Sequence, residues 1–224
     1  MKAEFLVRKG RSKLLVFFAG WGMDPRPFGR LSSQAYDVLI LFDYRELRDL
    51  SLDLSAYQET EVLAWSLGVS AALRMAAKIP ARRWVFLNGT GAFGHKGWGI
   101  HPRLMERTLK ALKTRGEESL LAFYKNMFQG EKGLSEFLAK RPSRPLEKLI
   151  TELEEASSWS PVFPKEDLNA VALVGEKDRI IPPSAQKAFW EKAKVPVKSH
   201  PFGHFPFYRF TYFEDILALA YERA

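Results

Sequence analysis

The chain of 224 residues contains no cysteine. That excludes a disulfide framework and thiolate chemistry, and it agrees with a reducing, cytoplasmic setting. Histidine is scarce, at four residues, so a histidine-dependent site can be built in few ways. No apolar run approaches the roughly 20 residues needed to span a bilayer, which argues against a membrane protein. The nearest imitation of a leader is Leu14 to Gly20 behind Lys9, Arg11 and Lys13. It is seven residues long and runs into Trp21-Gly22 rather than a small-x-small cleavage site, so it reads as a buried strand. Internal repeats and low-complexity linkers are lacking too, and a single domain over 1–224 is expected. What is present is globular in composition, 46% apolar and 27% charged, in a chain long enough to bury most of its apolar surface. The formal charge of +8 points to an acidic partner or substrate, and charge alone does not decide between nucleic acid, a membrane surface and an acidic protein. No recognisable nucleic-acid-binding motif accompanies that charge.

Ala3 to Arg8 and Leu14 to Ala19 read as two strands joined by a tight turn at Lys9-Gly10-Arg11-Ser12. The second is continuously apolar, as a strand covered on both faces must be. Further strands are predicted at Val38 to Phe42, Val62 to Trp65, Trp84 to Leu87 and Val171 to Val174, with a short apolar piece at Val195 to Val197. Helical stretches at Val69 to Lys78, Ser184 to Lys194 and Tyr212 to Arg223 separate or follow them. The alternation predicts an α/β protein with a mostly parallel sheet flanked by helices. Between Gly94 and Pro164 no strand is evident, and Pro102 to Phe128 and Leu146 to Ala156 carry helical spacing. The chain therefore divides into a core of 1–93 and 165–224 and an inserted helical lid at about 94–164, although the same block also fits an ordinary part of the core.

Ala64-Trp65-Ser66-Leu67-Gly68 follows an apolar strand and opens a helix. This is the layout of a nucleophile elbow, in which a sharp turn lifts a serine hydroxyl above the strand end and demands small neighbours two residues either side. The pentapeptide also fits a serine capping an ordinary helix. A serine is a weak nucleophile until a base takes its proton, and that base is normally a histidine oriented by a carboxylate. His204, in Pro201-Phe202-Gly203-His204-Phe205-Pro206, lies after the last strand and before the last helix, where the chain order Ser…Asp…His of an α/β-hydrolase puts the base. His200 is the runner-up, and His95 and His101 belong to the lid entrance. Asp178 follows the strand Val171 to Val174 in Gly175-Glu176-Lys177-Asp178-Arg179-Ile180-Ile181-Pro182 and is the acid; Glu176 and Asp167 are less favourably placed. The oxyanion donors are the backbone N–H of Leu67, next after the nucleophile, and that of Trp21, freed to turn by Gly20 and Gly22. Trp21 is at the same time a core tryptophan whose indole can line an acyl pocket.

Phe18-Ala19-Gly20-Trp21-Gly22, Phe42-Asp43-Tyr44, Ala64-Trp65-Ser66-Leu67-Gly68-Val69 and Asn88-Gly89-Thr90-Gly91 together resemble the BioG-type pimeloyl-[acyl-carrier protein] methyl ester esterases of biotin biosynthesis. BioH-type esterases performing the same step share the Gly-Trp-Gly and Trp-Ser-x-Gly pairing but have glycine where this chain has Ala64. The resemblance implies a serine carboxylesterase that releases methanol from pimeloyl-carrier methyl ester, without metal or bound cofactor; the phosphopantetheine arm belongs to the substrate. Other enzymes on the same scaffold, a thioesterase or a short-chain carboxylesterase, share the elbow, and a non-catalytic carrier-protein-binding module would share the fold. Acyl carrier proteins are acidic, which gives the basic charge a place. Lys96 to Arg115 holds six basic residues against one acid, Glu106. Arg103, Arg107 and Lys110 share one helix face by their spacing, and Lys140, Arg141 and Arg144 form a second cluster.

Overall fold

Leu14 to Phe18 is apolar at every position, and each of these side chains is fully shielded from solvent. A strand of that kind needs cover on both faces. The computed structural model, which describes residues 1–47 and 53–221, supplies it by placing this strand inside a sheet with helices above and below. The strands are β1 (Lys2–Val7), β2 (Lys13–Phe18), β3 (Tyr36–Phe42), β4 (Glu59–Trp65), β5 (Arg83–Leu87), β6 (Ala170–Gly175) and β7 (Val197–His200). Their order in space is β1-β3-β2-β4-β5-β6-β7. All neighbours are parallel except β1, which runs antiparallel to β3. The first two strands are thus joined by a turn, with Gly10 at a positive φ of 69°, yet they do not pair. β3 lies between them, and β1 forms an edge whose Lys2, Ala3 and Glu4 face solvent. Charged residues on an exposed edge blunt it against pairing with other chains.

The helices are α1 (Leu67–Met75), α2 (Pro102–Arg115), α3 (Glu117–Met127), α4 (Leu134–Ala139), α5 (Leu146–Ser157), α6 (Pro183–Lys192) and α7 (Phe213–Tyr221). The continuous helical spacing read over Pro102 to Phe128 is two helices, because Gly116 adopts φ 53° and breaks the hydrogen-bond ladder between them. α4 had no signal in the sequence; at six residues it is too short for periodicity to register. The expected helix from Tyr212 begins one residue later, and its expected end at Arg223 lies outside the described residues. α2 to α5 all fall between β5 and β6, within the block read as a lid.

Parallel pairing brings the functional loops together. β2 and β4 are neighbours in register, Phe18 opposite Ala64, so the loop after β2 and the elbow after β4 emerge side by side. Trp65 pairs with Leu87 across β4 and β5, and Leu87 with Leu173 across β5 and β6. The ends of β2, β4, β5 and β6 therefore share one rim. This is the carboxyl edge of the sheet, at the point where the connections change side, and there open α/β sheets gather their ligands.

Candidate active site

Ser66 sits at φ 57° and ψ −124°, a backbone state that an L-residue adopts only when its surroundings impose it. The packing around it explains how. A Cβ on Gly68 would collide with the carbonyl oxygens of Phe18 and Ala19, and one on Gly89 with the Ser66 carbonyl. At Gly20 a Cβ would come within 2.8 Å of the Trp65 ring and 3.2 Å of Ser66 Cβ. Glycine at these places lets β2, β4 and β5 close around the turn. The Ser66 side chain makes no capping hydrogen bond to α1, so the helix-cap reading is set aside. Its Oγ lies 3.0 Å from His204 Nε2 instead.

His204 Nδ1 is 2.9 Å from Asp178 Oδ2. A proton on Nδ1 directed at that carboxylate leaves Nε2 as the acceptor facing the serine hydroxyl. Asp178 is itself held from four directions. Oδ1 accepts from the N–H of Ile180 at 2.8 Å and of Ile181 at 3.0 Å, and Oδ2 accepts from Gln186 Nε2 at 2.9 Å as well as from the imidazole. Ser66, Asp178 and His204 are all buried, at 4%, 4% and 1% exposure, so water competes little with these bonds. The sequence therefore named three side chains that the fold brings together. The runner-up His200 lies on β7, stacked on Phe202, and is bonded to neither Ser66 nor Asp178 among the described residues. Glu176 and Asp167 are exposed.

Four residues that brace this arrangement carried no assigned role in the sequence reading. Gln186 on α6 also donates to Ile181 O at 2.8 Å. Asn88, at the end of β5 with a positive φ of 46°, donates to Gly203 O at 2.8 Å and His204 O at 3.1 Å. Its Oδ1 accepts from Gly175 N at 2.7 Å. One buried amide thus links the histidine loop to the end of β6, the strand that leads into Asp178. Trp65, adjacent to the nucleophile, donates Nε1 to His204 O at 2.8 Å. Glu131 accepts from Gly203 N at 2.5 Å and from Arg209 Nε at 2.6 Å. Asn88 stood in a motif already singled out, Asn-Gly-Thr-Gly; nothing in the spacing pointed to Gln186 or Glu131.

Leu67 follows Ser66 directly in the chain, and Trp21 lines the same cavity as Ser66. Leu67 is the first residue of α1, where the N–H has no intrahelical acceptor. Trp21 stands in the loop after β2, with Gly22 at φ 75°. Its indole donates to Leu149 O at 2.9 Å and meets the Phe123 ring edge-on at 5.0 Å. Over Ser66 lies a cavity of roughly 100 Å³, walled by Trp21, Phe93, Met105, Phe123, Leu153 and Ile180. The wall is mostly apolar, as an acyl chain requires, with Thr108, Asn126 and Arg179 its polar members, and most of it comes from residues between β5 and β6.

α2 carries Arg103, Arg107 and Lys110 exposed to solvent, and none of the three is in an ion pair among the described residues. Lys113 on the same helix pairs with Glu154 at 2.5 Å. Of the second basic cluster, Lys140 and Arg141 stay exposed but Arg144 does not. Lys140 pairs with Glu136, and Arg144 turns inward, its side chain 7% exposed, onto Glu152 at 2.8 Å and Asp43 at 3.0 Å. Sequence proximity grouped it with Lys140 and Arg141; the buried carboxylates drew it in. Among the described residues no three His, Cys, Asp or Glu side chains are placed to hold a metal ion, and no helix is long and apolar enough to cross a membrane.

The sheet order and the serine elbow beneath an inserted helical block define an α/β-hydrolase. A structural likeness at TM-score 0.74 to an enol-lactonase from Burkholderia xenovorans LB400, 12% identical and covering 97% of this chain and 95% of that one, shows the same fold. A family model described as "Pimeloyl-ACP methyl esterase BioG" matches residues 1–216, and the chain belongs to the BioG family. BioG from Haemophilus influenzae superposes with a TM-score of 0.81 at 29% identity, covering 96% of this chain and 99% of that one. A protein of Bacteroides fragilis named malonyl-[acyl-carrier protein] O-methyltransferase is 34% identical over 198 residues, 87% of this chain. This chain spans only 40% of that relative's length.

Proposed function

We propose that this chain is a serine carboxylesterase that hydrolyses the methyl ester of a pimeloyl chain borne on acyl carrier protein, giving the free ω-carboxylate and methanol for biotin biosynthesis. The observation that carries the reading is the run of contacts Ser66 Oγ to His204 Nε2 to Asp178 Oδ2, at 3.0 and 2.9 Å, under an apolar cavity in a member of this family. The methyltransferase name of the Bacteroides fragilis relative supports it chemically. Methyl transfer to an oxygen of a carrier-bound acyl group makes an ester of the kind this site would cut.

In the proposed cycle the ester carbonyl rests against the N–H groups of Leu67 and Trp21. Ser66 attacks while His204 takes the hydroxyl proton, and Asp178 stabilises the resulting imidazolium. The C–OCH3 bond breaks, methanol leaves with the proton from His204, and an acyl-serine remains. Water deprotonated by His204 adds to that acyl group and expels Ser66, which regains the proton. No group beyond substrate and water is consumed. α2 to α5 act as the lid, and Arg103, Arg107 and Lys110 form the docking face for the acidic carrier. Complementary charge of this kind chiefly raises the encounter rate.

The test is to measure methanol released from pimeloyl-carrier methyl ester beside thioester cleavage of the unmethylated pimeloyl-carrier. Methanol release with an intact thioester is the predicted result. Thioester cleavage without methanol would make the protein a thioesterase. A folded protein that binds carrier, releases neither product and leaves Ser66 unlabelled by a fluorophosphonate would be a binding module.

A further inference from the structure

We infer that Glu152 is a positioning residue for the loop Gly20-Trp21-Gly22, holding the Trp21 N–H at the place where an ester oxygen becomes an oxyanion. This deepens the proposed esterase reading and rests on it.

Glu152 is fully buried on α5, and burial pushes its carboxyl above the ordinary value despite the nearby Arg144. Its oxygens are filled by three donors. Oε1 accepts from Tyr44 N at 2.7 Å; Oε2 accepts from Gly22 N at 3.2 Å and from Arg144 Nη1 at 2.8 Å. Arg144 also reaches Met23 O at 3.3 Å and Asp43 at 3.0 Å, and Asp43 is held by Arg45. The loop is gripped from its other end as well, since the Tyr44 hydroxyl donates to Ala19 O at 2.8 Å. One turn before Glu152, Leu149 O receives the Trp21 indole N–H. Residues 149 and 152 share a helix face, so one face of α5 fixes Trp21 by its side chain and the loop by the next residue's backbone. The motif Phe42-Asp43-Tyr44, which the catalytic cycle leaves unused, thus acquires a task.

The chemistry of the cluster favours positioning over plain stability. A buried ion pair is weak evidence for stabilisation, because desolvation cancels much of the attraction. What a carboxylate supplies here is geometry: it alone offers acceptors in two directions to three fixed donors. An amide in its place sets its NH2 against one backbone N–H, and the loop must shift. A displacement of about 1 Å at a catalytic group costs about a hundredfold in rate.

The experiment compares wild type, Glu152→Gln and Arg144→Lys. Kinetics on a small soluble ester are read beside inhibition by an alkyl boronic acid, which forms a tetrahedral adduct on Ser66, and beside thermal unfolding. Affinity for the carboxylic acid product is measured with each change in a Ser66→Ala background. For Glu152→Gln the expected result is a kcat lower by at least about tenfold with KM within about twofold. The boronate constant should weaken in parallel and product affinity should hold. Arg144→Lys, which keeps one charge but cannot span Glu152 and Asp43 together, should show the same pattern more mildly. Folded variants with wild-type kcat, a loss confined to KM, or failure of both to fold would each overturn the inference. Wild type that cleaves no ester and takes no fluorophosphonate would instead overturn the esterase reading, and this one with it.

Discussion

At Ser66 the backbone accepts a positive φ because three glycines nearby leave no other atoms in the way, and that strain aims the hydroxyl at His204. Replacing Ser66 by alanine should lower kcat by about 10⁴-fold or more, with folding intact by thermal melt; residual activity near wild type would show another nucleophile. Gln186 is a subtler case. Gln186→Leu removes one of four donors to Asp178 and should reduce kcat about tenfold at unchanged KM, the size of a modest misplacement, checked by steady-state kinetics. The difference between these residues shows what the sequence could reveal. Ser66 and His204 announce themselves through small neighbours and chain order, which are local. Gln186, Glu152 and Asn88 matter through partners 87 to 130 positions away in the cases of Asn88–Gly175 and Gly22–Glu152, or through a helix turn anyone would read as surface. Arg144 was misplaced because Asp43, one of its two carboxylates, is distant in the chain, and Glu152, though near in sequence, lies on a separate element, α5.

Among the elements, the β1–β2 turn depends on a buried acid. Asp37 on β3 accepts from the N–H of Lys9 at 2.7 Å and of Arg11 at 3.3 Å, with the Tyr57 hydroxyl at 3.3 Å. Burial pulls its carboxyl upward, but these donors outweigh it and leave the group below the ordinary value. A depressed carboxyl contributes stability in full above its unfolded value of about 3.9 and loses it as pH falls through the folded one. Asp37→Asn should therefore melt earlier than wild type at neutral pH, and the gap should narrow only below about pH 4, as followed by circular dichroism. α2 carries the other prediction at this scale. Reversing Arg103, Arg107 and Lys110 to glutamate should raise KM about tenfold for carrier-bound ester and leave a small ester within about twofold; equal effects on both would detach α2 from carrier recognition. The inner strands β2 to β6 were legible because apolar runs of four to seven residues are hard to place anywhere but inside a parallel sheet; β7, Val-Lys-Ser-His, overlaps the expected apolar piece Val195 to Val197 only at Val197. The strand order was not legible, since nothing local states that β3 separates β1 from β2.

For the whole molecule, a net charge of +8 sets a long-range field that salt screens within about 8–10 Å at moderate ionic strength. Raising salt from about 50 to about 500 mM should lower kcat/KM for carrier-bound ester several-fold through the encounter step, while a neutral small ester changes little. An unchanged ratio of the two would mean that the charge serves solubility alone. The proposed function assigns the cut to one bond, the distal methyl ester, and that assignment has a covalent consequence. Because the ester lies at the far end of the chain from the carrier thioester, the acyl-serine of an esterase joins enzyme and carrier in one adduct. A thioesterase acylated by the same substrate would discard the carrier. The most direct measurement is acid-quenched mixing of protein with pimeloyl-carrier methyl ester, followed by intact-mass and peptide mass spectrometry. The predicted species is enzyme plus loaded carrier less methanol, attached at Ser66 and absent in Ser66→Ala. An adduct bearing the acyl chain without carrier, or attachment at any other residue, would contradict the account.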